Sequence, residues 1–274
     1  GQRADVLERA ADLLEARLET LALLVTSELG NPLSYSLRVH VPTPIRVLRF
    51  YAHHVRTFQH EDYRSDGVNT SLVRRVPVGV VGAVTPWNGP ISNPMMKLAP
   101  ALAAGCSVVL KPAPETPLSA YVIADALGEA GLPAGVLNIC PGGRDIGEHL
   151  VSHPQVDKVA FTGSTAVGKR IMALCADRIA RVTLELGGKS AAIILDDADL
   201  DALVPALLPM AFMLNGQACI SPTRLLVAKS RESELLDALS AAYTAQRVGD
   251  PLEATTDIGP LISERQRDRV EGYV

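Results

Sequence analysis

The sequence lacks the features that mark membrane, secreted and nucleic-acid-binding proteins. Its 274 residues include no uncharged apolar run of about eighteen residues, and the N-terminus has neither a basic segment nor a short apolar signal core. Membrane insertion and secretion are therefore not indicated, and we expect a cytoplasmic protein. The arginines and lysines form no basic stripe, and the formal net charge is -4, so nucleic-acid binding is not expected.

A metal-binding pattern is also missing. The cysteines are widely separated, without a C-x-x-C pair or a nearby histidine cluster, so no metal site is predicted and the thiols are expected to be reduced. They are Cys106, Cys140, Cys175 and Cys219. Internal repeats and low-complexity tracts are absent. Hydrophobic residues make up 47% of the chain and charged residues 20%, which is typical of a globular protein long enough for two domains.

The N-terminal part of the sequence has a helical pattern. Apolar residues recur at three- and four-residue spacing from Leu7 to Val25, which predicts one amphipathic helix that ends at Gly30-Asn31-Pro32. A second helix is predicted around residues 45–58. The alternation in residues 71–76 predicts a protruding strand or hairpin, which would suit a contact between subunits.

From residue 78 onward, apolar runs alternate with helical segments. Strands are predicted at residues 78–84, 107–110, 136–139, 158–161 and 181–186, with helices at 93–104, 117–130, 145–151 and 165–176. This order predicts a doubly wound α/β domain, in which helices cover both faces of a parallel sheet. Beyond Gly187-Gly188 the same reasoning predicts the first part of a second α/β domain. Its elements are strand 191–195, helix 200–214, strand 224–228, helix 232–243 and a charged helical segment at 264–270.

A thiol and a carboxylate are the first candidates for chemistry. Cys219 lies in a run of small residues, and Glu185 lies upstream in a turn rich in glycine. A cysteine thiolate can attack a carbonyl carbon, and a carboxylate can then activate water on the covalent adduct. The alternative for Cys219 is a buried packing residue, which is the commoner role of a lone cysteine beside small residues.

Three loops follow predicted strands, where ligands bind in open parallel sheets. The first contains the only tryptophan, Trp87, and Asn88, whose amide could stabilise an oxyanion; the alternative is an ordinary turn. Lys111 follows the second strand, where a ribose or phosphate would pass; the alternative is a solvated lysine on a surface loop. The third loop, residues 161–168, leads into a helix whose N-terminus would suit a phosphate, although it matches neither G-x-G-x-x-G nor a P-loop.

Five motifs, taken in order, resemble those of the aldehyde dehydrogenase superfamily. They are T-P-W-N at 85–88, K-P at 111–112, F-T-G-S-T at 161–165, E-L-G-G-K at 185–189 and G-Q-A-C at 216–219. The resemblance extends to D-I-G-P-L-I at 257–262 and so covers essentially the whole chain.

The resemblance implies roles for individual residues. Cys219 would be the nucleophile, Glu185 the general base, and the Asn88 side chain with the Cys219 backbone N–H the oxyanion hole; Lys97 matches a family lysine of less certain catalytic role. A partly desolvated carboxylate would suit the task of Glu185. The nucleotide site would comprise Thr85, Trp87, Lys111, Gly163, Ser164, Val167, Gly168 and Leu186.

The resemblance also implies an activity and a domain plan. The activity would be oxidation of an aldehyde to a carboxylic acid with NAD or NADP, through a thiohemiacetal and a thioester on Cys219. Residues 1–58 and 78–187 would form the nucleotide-binding domain, 59–77 a hairpin of the oligomerisation region, and 188–274 a partial catalytic domain. A homodimer or homotetramer is the implied assembly.

The sequence departs from the family pattern in three places. Members that prefer NAD often carry a glutamate three residues after the ribose-binding lysine, whereas this chain has Pro114 there and Glu115 one place later. The loop at 141–147 is one residue shorter than usual, and Arg144 could meet a 2′-phosphate. On balance NAD is slightly favoured over NADP.

The third departure is a missing motif. The later Glu-Glu-x-Phe-Gly-Pro motif of the family is absent, so we expect the 274 residues to be a piece of a longer enzyme that turns over poorly alone. Three alternatives stay open: a non-catalytic nucleotide-binding or subunit-interaction remnant, an acylating dehydrogenase, and a cysteine hydrolase. Glu185 argues against the acylating enzyme, and a hydrolase would leave Lys111 and residues 163–168 unexplained.

Overall fold

The computed structural model describes residues 1–274, and their N-terminal part is a layer of helices. In chain order these are α1 (Gln2–Ala16), α2 (Leu18–Leu29), α3 (Leu33–Tyr35), a π-helical turn (Ser36–His40) and α4 (Pro42–Thr57). Gly30 ends α2 as predicted, because its left-handed backbone (φ 84°) lets its N–H donate to the carbonyl of Thr26. None of the helices has both the length and the apolar composition needed to cross a lipid bilayer.

The prediction of one continuous N-terminal helix was wrong, because the helix is interrupted at Arg17. That residue leaves the helical backbone region (φ −104°, ψ 14°), and its guanidinium lies 2.5 Å from the carboxylate of Glu129. Both halves contact α6, but their other neighbours differ: α1 also lies against α4, whereas α2 also lies against the π-helical turn.

The remaining elements before residue 187 form a hairpin and a parallel sheet. Their bounds are β1 (Glu61–Ser65), β2 (Thr70–Arg74), β3 (Val80–Val84), α5 (Ser92–Ala104), β4 (Ser107–Lys111), α6 (Leu118–Glu129), β5 (Leu137–Ile139), α7 (Arg144–Ser152), β6 (Lys158–Gly163), α8 (Thr165–Ala176) and β7 (Arg181–Leu186). The predicted hairpin is the antiparallel pair β1–β2. The five strands β3 to β7 are all parallel, in the order β5-β4-β3-β6-β7.

Side chains from this sheet are buried on both faces. Alternate residues such as Val108 and Leu110 pack into a core with α1, α4, α5 and α6, whereas Val159 and Phe161 pack with α7 and α8 on the other face. The predicted doubly wound sheet is therefore confirmed. The chain order reverses between β3 and β6, which places a crevice at the carboxyl ends of these central strands.

Residues beyond 187 form a smaller α/β unit. It consists of β8 (Ser190–Ile194), α9 (Leu200–Ala211), β9 (Pro222–Val227), a 3-10 turn (Lys229–Arg231), α10 (Glu232–Thr244) and α11 (Glu264–Glu271). β8 and β9 are parallel, and their apolar side chains pack on α9 and α10. The helix predicted to reach residue 214 ends at Ala211, because Leu214, Asn215 and Gly216 adopt positive φ angles of 55°, 57° and 77°.

Candidate active site

The candidate residues of the four sheet motifs meet at one edge of the parallel sheet. Asn88 follows β3, Lys111 is the last residue of β4, Gly163 the last of β6 and Glu185 the next-to-last of β7. In the strand registers Val84 lies opposite Lys111, and Thr162 opposite Glu185. Because parallel strands end on the same side, the sheet brings these residues together although up to about a hundred positions separate them in sequence.

Cys219 differs from the other cysteines in its exposure. Cys106 and Cys175 are buried and Cys140 is partly buried, whereas Cys219 is exposed in the turn between α9 and β9. The interpretation of Cys219 as a buried packing residue is therefore wrong. Its backbone N–H takes part in no backbone hydrogen bond, so this donor is available to a ligand.

Asn88 connects the sheet to the loop that carries the thiol. Its Nδ2 donates a 2.7 Å hydrogen bond to the carbonyl oxygen of Gln217, two residues before Cys219. Its Oδ1 accepts a long, 3.5 Å contact from the Nδ2 of Asn93, which fixes the orientation of the amide. A carboxamide NH2 has two hydrogens, so Asn88 can hold the loop with one and donate to a substrate with the other.

The turn before Asn88 is itself fixed by neighbouring strands. The N–H of Thr85 donates to the carbonyl of Lys111 at 3.1 Å, and the hydroxyl of Thr116 donates to the carbonyl of Trp87 at 3.1 Å. The turn is thus tied to the loop after β4 on one side and to the cysteine loop on the other.

Lys97 extends the site toward Glu185. It lies on α5, and its Nζ donates a 2.6 Å hydrogen bond to the hydroxyl of Thr162, the residue opposite Glu185 in the sheet. Burial lowers the pKa of Lys97 from 10.5 to about 8, and the nearby Glu185 carboxylate partly opposes that change. A lysine with such a pKa can exchange a proton close to neutral pH.

Glu185 is exposed to solvent in residues 1–274. The partly desolvated carboxylate that a general base would need is therefore not found at this position. The physical reason lies in the sheet: alternate residues of β7 pack against α7 and α8, whereas no core residue covers the opposite face, to which Glu185 belongs.

Lys111 is buried, so its interpretation as a solvated surface lysine is wrong. Only 5% of the residue is exposed, and its Nζ donates to the carbonyl of Pro112 at 3.0 Å. Burial lowers its pKa, while the carboxylates of Glu115 and Asp145 act in the opposite direction. Lys111 is the last residue of β4, at the carboxyl edge of the sheet where ligands bind in open parallel sheets.

The strand-to-helix turn after β6 fits a phosphate. Ser164 is the N-cap of α8, and its hydroxyl accepts the N–H of Val167 at 3.4 Å, while the first turn of the helix remains exposed. A Cβ on Gly168 would lie 2.7 Å from Leu186, and one on Gly163 would lie 2.5 Å from the Phe161 ring. Only glycine permits this close packing, which leaves the positive end of the helix open to an anion.

The residues predicted for nucleotide binding lie at or near the carboxyl ends of β3, β4, β6 and β7 and in the first turn of α8. Thr85, Lys111 and Gly168 are buried, Gly163 is closely packed against Phe161, and the others are partly or fully exposed. The full set is Thr85, Trp87, Lys111, Gly163, Ser164, Val167, Gly168 and Leu186. The structure brings no three His, Cys, Asp or Glu side chains together in a way that could hold a metal ion.

Sequence reasoning missed the residues that hold these groups in place. Asn215 is buried and bridges three segments, Gln217 provides the carbonyl that binds Asn88, and Thr162 accepts the Lys97 bond. An Asn-Gly dipeptide is a turn signal, so Asn215-Gly216 could have predicted the end of α9. The other two lie inside the F-T-G-S-T and G-Q-A-C motifs, but no spacing indicates which distant side chains they bond.

Comparisons with known proteins agree with this geometry. A family model described as "Aldehyde dehydrogenase family" matches residues 1–274. The chain is 51% identical to the geranial dehydrogenase of Castellaniella defragrans, covering 99% of this chain and 57% of that protein. It is 40% identical to betaine aldehyde dehydrogenase 2 of Rhizobium meliloti, covering 100% and 57%.

A solved structure gives the same result. The aldehyde dehydrogenase of Mycobacterium tuberculosis complexed with NAD+ superposes with a TM-score of 0.96 at 43% identity, covering 99% of this chain and 56% of that one. The chain thus spans about half the length of the relatives it matches.

Proposed function

The chain belongs to the aldehyde dehydrogenase family, and from that membership we propose that its protein oxidises an aldehyde to a carboxylic acid with NAD(P)+. The observation that carries the proposal is the hydrogen bond between the Asn88 side chain and the loop of the exposed Cys219. This bond links the loop of the proposed nucleophile to an N–H donor that could stabilise the oxyanion formed by nucleophilic attack. The proposed activity is that of the whole protein, since the chain spans about half the length of its relatives.

The first step would be attack of the Cys219 thiolate on the aldehyde carbon. The carbonyl oxygen becomes an oxyanion as the thiohemiacetal forms, and it needs donors already in position. The second N–H of Asn88 and the free backbone N–H of Cys219 provide them. Loss of one such donor typically slows a reaction by roughly a hundred- to a thousandfold.

When bound, the dinucleotide supplies the acceptor for the hydride that leaves the thiohemiacetal carbon. The residues that would hold it are those of the crevice, with the pyrophosphate at the start of α8 and the ribose near Lys111. A thioester then remains on Cys219.

Glu185 would complete the reaction by removing a proton from the water that attacks the thioester. Release of the carboxylic acid regenerates the Cys219 thiol. Lys97 lies near Glu185, and its electrostatic interaction with the carboxylate supports a catalytic role for this lysine.

We propose NAD as the preferred cofactor. Glu115 places a carboxylate near Lys111, and Arg265 of α11 holds that carboxylate through a 2.7 Å ion pair. A negative charge at this loop would repel the 2′-phosphate of NADP. Arg144, exposed at the start of α7, would act in the opposite sense.

The test is a rapid-mixing experiment with aldehyde and NAD+ on the complete protein. We expect Glu185→Gln to release one equivalent of reduced nicotinamide quickly and then stall, with an acyl adduct on Cys219 that intact-mass measurement detects. Cys219→Ala should lose both the burst and the adduct but still bind NAD+. Cys140→Ala, which removes another partly accessible thiol, is the matched control and should turn over normally.

Two outcomes would contradict the proposal. Steady turnover by Cys219→Ala would exclude the thiol as the nucleophile. NAD+ binding by the unaltered protein, without burst or adduct for any aldehyde tried, would instead indicate a nucleotide-binding remnant.

The domain plan is a proposal of the same kind. Residues 1–58 and 78–187 would bind the nucleotide, 59–77 would belong to the oligomerisation region, and 188–274 would be part of the catalytic domain. Its support is that the β8–β9 unit has its own apolar cluster, separate from the two clusters of the parallel sheet. Limited proteolysis that cuts first at residues 187–189 would agree with this division.

The β1–β2 hairpin is the proposed subunit contact of a homodimer or homotetramer. Tyr63 and Leu72 are cross-strand partners that are 71% and 42% exposed, and an apolar groove of about 260 Å³ lies at the base of the hairpin, beside α4 and α5. Replacing both residues with Asp should lower the molar mass measured by light scattering. Ile179→Asp, at an apolar residue after α8 that is 90% exposed, should leave it unchanged.

A further inference from the structure

Asn215 makes an unusual set of contacts four residues before Cys219. It is 8% exposed, and its Nδ2 donates to the carbonyls of Gly30 at 2.9 Å and Pro260 at 3.0 Å. Its Oδ1 accepts the N–H of Gly259 at 2.9 Å. Every hydrogen-bonding position of the carboxamide except one lone pair is therefore used, and the side chain joins the cysteine turn to the end of α2 and to the segment before α11.

The turn that carries these contacts has a backbone that its sequence does not favour. Leu214 and Asn215 both have positive φ angles, and such a conformation in a non-glycine residue persists when surrounding contacts hold it. Asparagine tolerates the left-handed region better than most residues, but leucine does not. The contacts of Asn215 are the ones that fix this turn to the rest of the molecule.

A second amide acts on the same turn. The Oε1 of Gln217 accepts the N–H of Ile262 at 3.1 Å, and its Nε2 donates to the carbonyl of Leu214 at 3.0 Å. The backbone carbonyl of Gln217 in turn accepts the bond from Asn88. Any displacement of the turn at Asn215 would therefore move the Gln217 carbonyl, which accepts the hydrogen bond from Asn88 two residues before Cys219.

We propose that Asn215 is a positioning residue for the reaction: its buried carboxamide holds the turn that carries Cys219 and that Asn88 bonds through the Gln217 carbonyl. The inference rests on the proposed nucleophilic role of Cys219. Asn215 touches neither substrate nor cofactor in this scheme and acts through the backbone of residues 216–219. Its loss should slow chemistry without changing nucleotide binding.

Two variants of the complete protein separate the side chain from the backbone. Asn215→Gly keeps the left-handed conformation accessible but removes the carboxamide. Asn215→Asp keeps the shape and the acceptor oxygen but removes both donated bonds to Gly30 and Pro260. Asn138→Gly and Asn138→Asp are the matched controls, since that amide is exposed and bonds only the carbonyl of Gly135.

Three measurements are made on each variant: kcat and KM for an aldehyde, the Kd for NAD+, and hydrogen exchange of the peptide that covers residues 212–221. We expect kcat to fall about a hundredfold in both Asn215 variants, as for misplacement by about an ångström. The Kd for NAD+ should not change, and exchange of the peptide should accelerate. The controls should match the unaltered protein in all three.

Unchanged kcat in either Asn215 variant would overturn the inference, as would a loss of kcat that only follows the fraction of unfolded protein. If Asn215→Gly fails to fold, Asn215→Asp decides. If the unaltered protein oxidises no aldehyde, the proposed function fails, whereas the exchange measurement still decides whether Asn215 holds the cysteine turn.

Discussion

Replacing Lys97 with methionine should stabilise the protein at neutral pH while it damages the site. The pKa of Lys97 falls from its ordinary 10.5 to about 8 on folding, because burial disfavours the ammonium. Below about pH 8 the amine is charged in the folded and unfolded states, so the full cost of burying the charge is present. Above pH 10.5 it is neutral in both, and the cost is gone.

The size of that cost follows from the two pKa values. Their difference, 10.5 minus about 8, is about 2.5, which corresponds to about 3 kcal/mol. Methionine removes this cost but also removes the hydrogen bond to Thr162, which contributes about 1 kcal/mol. The net expectation for Lys97→Met is a stabilisation of about 2 kcal/mol at pH 7, which shrinks as pH rises and becomes a destabilisation of about 1 kcal/mol, the lost hydrogen bond, above pH 10.5.

Urea unfolding of both proteins at a series of pH values from 7 to 10 measures this difference. The unaltered protein should gain stability relative to Lys97→Met as pH rises, because the unfolded state binds more protons in that window. Lys169→Met, at an exposed position of α8, is the control and should differ from the unaltered protein by an amount that does not depend on pH. A destabilised Lys97→Met at pH 7, or a difference independent of pH, would refute the reasoning.

Three further predictions concern residues outside the proposed catalytic groups. Glu28→Gln should lower stability by about 1 kcal/mol in thermal unfolding, because the carboxylate caps the N-terminus of α6 with three hydrogen bonds. Burial lowers the pKa of His40 to about 4, so stability should fall as pH drops from 6.5 to 4, and His40→Gln should flatten that slope in acid unfolding. Gly168→Ala should weaken NAD+ binding in calorimetry through its clash with Leu186, whereas Gly128→Ala, which meets no atom within 4 Å, should leave binding unchanged.

Much of the fold could be predicted from local patterns. The helix at residues 165–176 and the strand at 181–186 were predicted with the bounds that the structure has, because glycine, proline and polar residues punctuate runs of apolar ones there. The parallel sheet followed from the alternation of strands and helices. The carboxyl edge as the location of the site followed from the rule for open parallel sheets.

Other features depended on partners distant in the sequence. The break at Arg17 accompanies an ion pair with Glu129, 112 positions away. The burial of Lys111 depends on the loops packed around it, and the exposure of Glu185 depends on what covers its face of β7. None of these is encoded in the neighbouring residues, so no periodicity predicts them.

The sequence by itself determined the order of strands and predicted the candidate groups: the thiol of Cys219, the carboxylate of Glu185 and the amide of Asn88. Only the tertiary structure decided how those groups are held. Asn215 shows why, since its amide bonds Gly30 and Pro260, which lie 185 and 45 positions away. A backbone conformation that local sequence disfavours is stable here because folding brings those distant carbonyls to it.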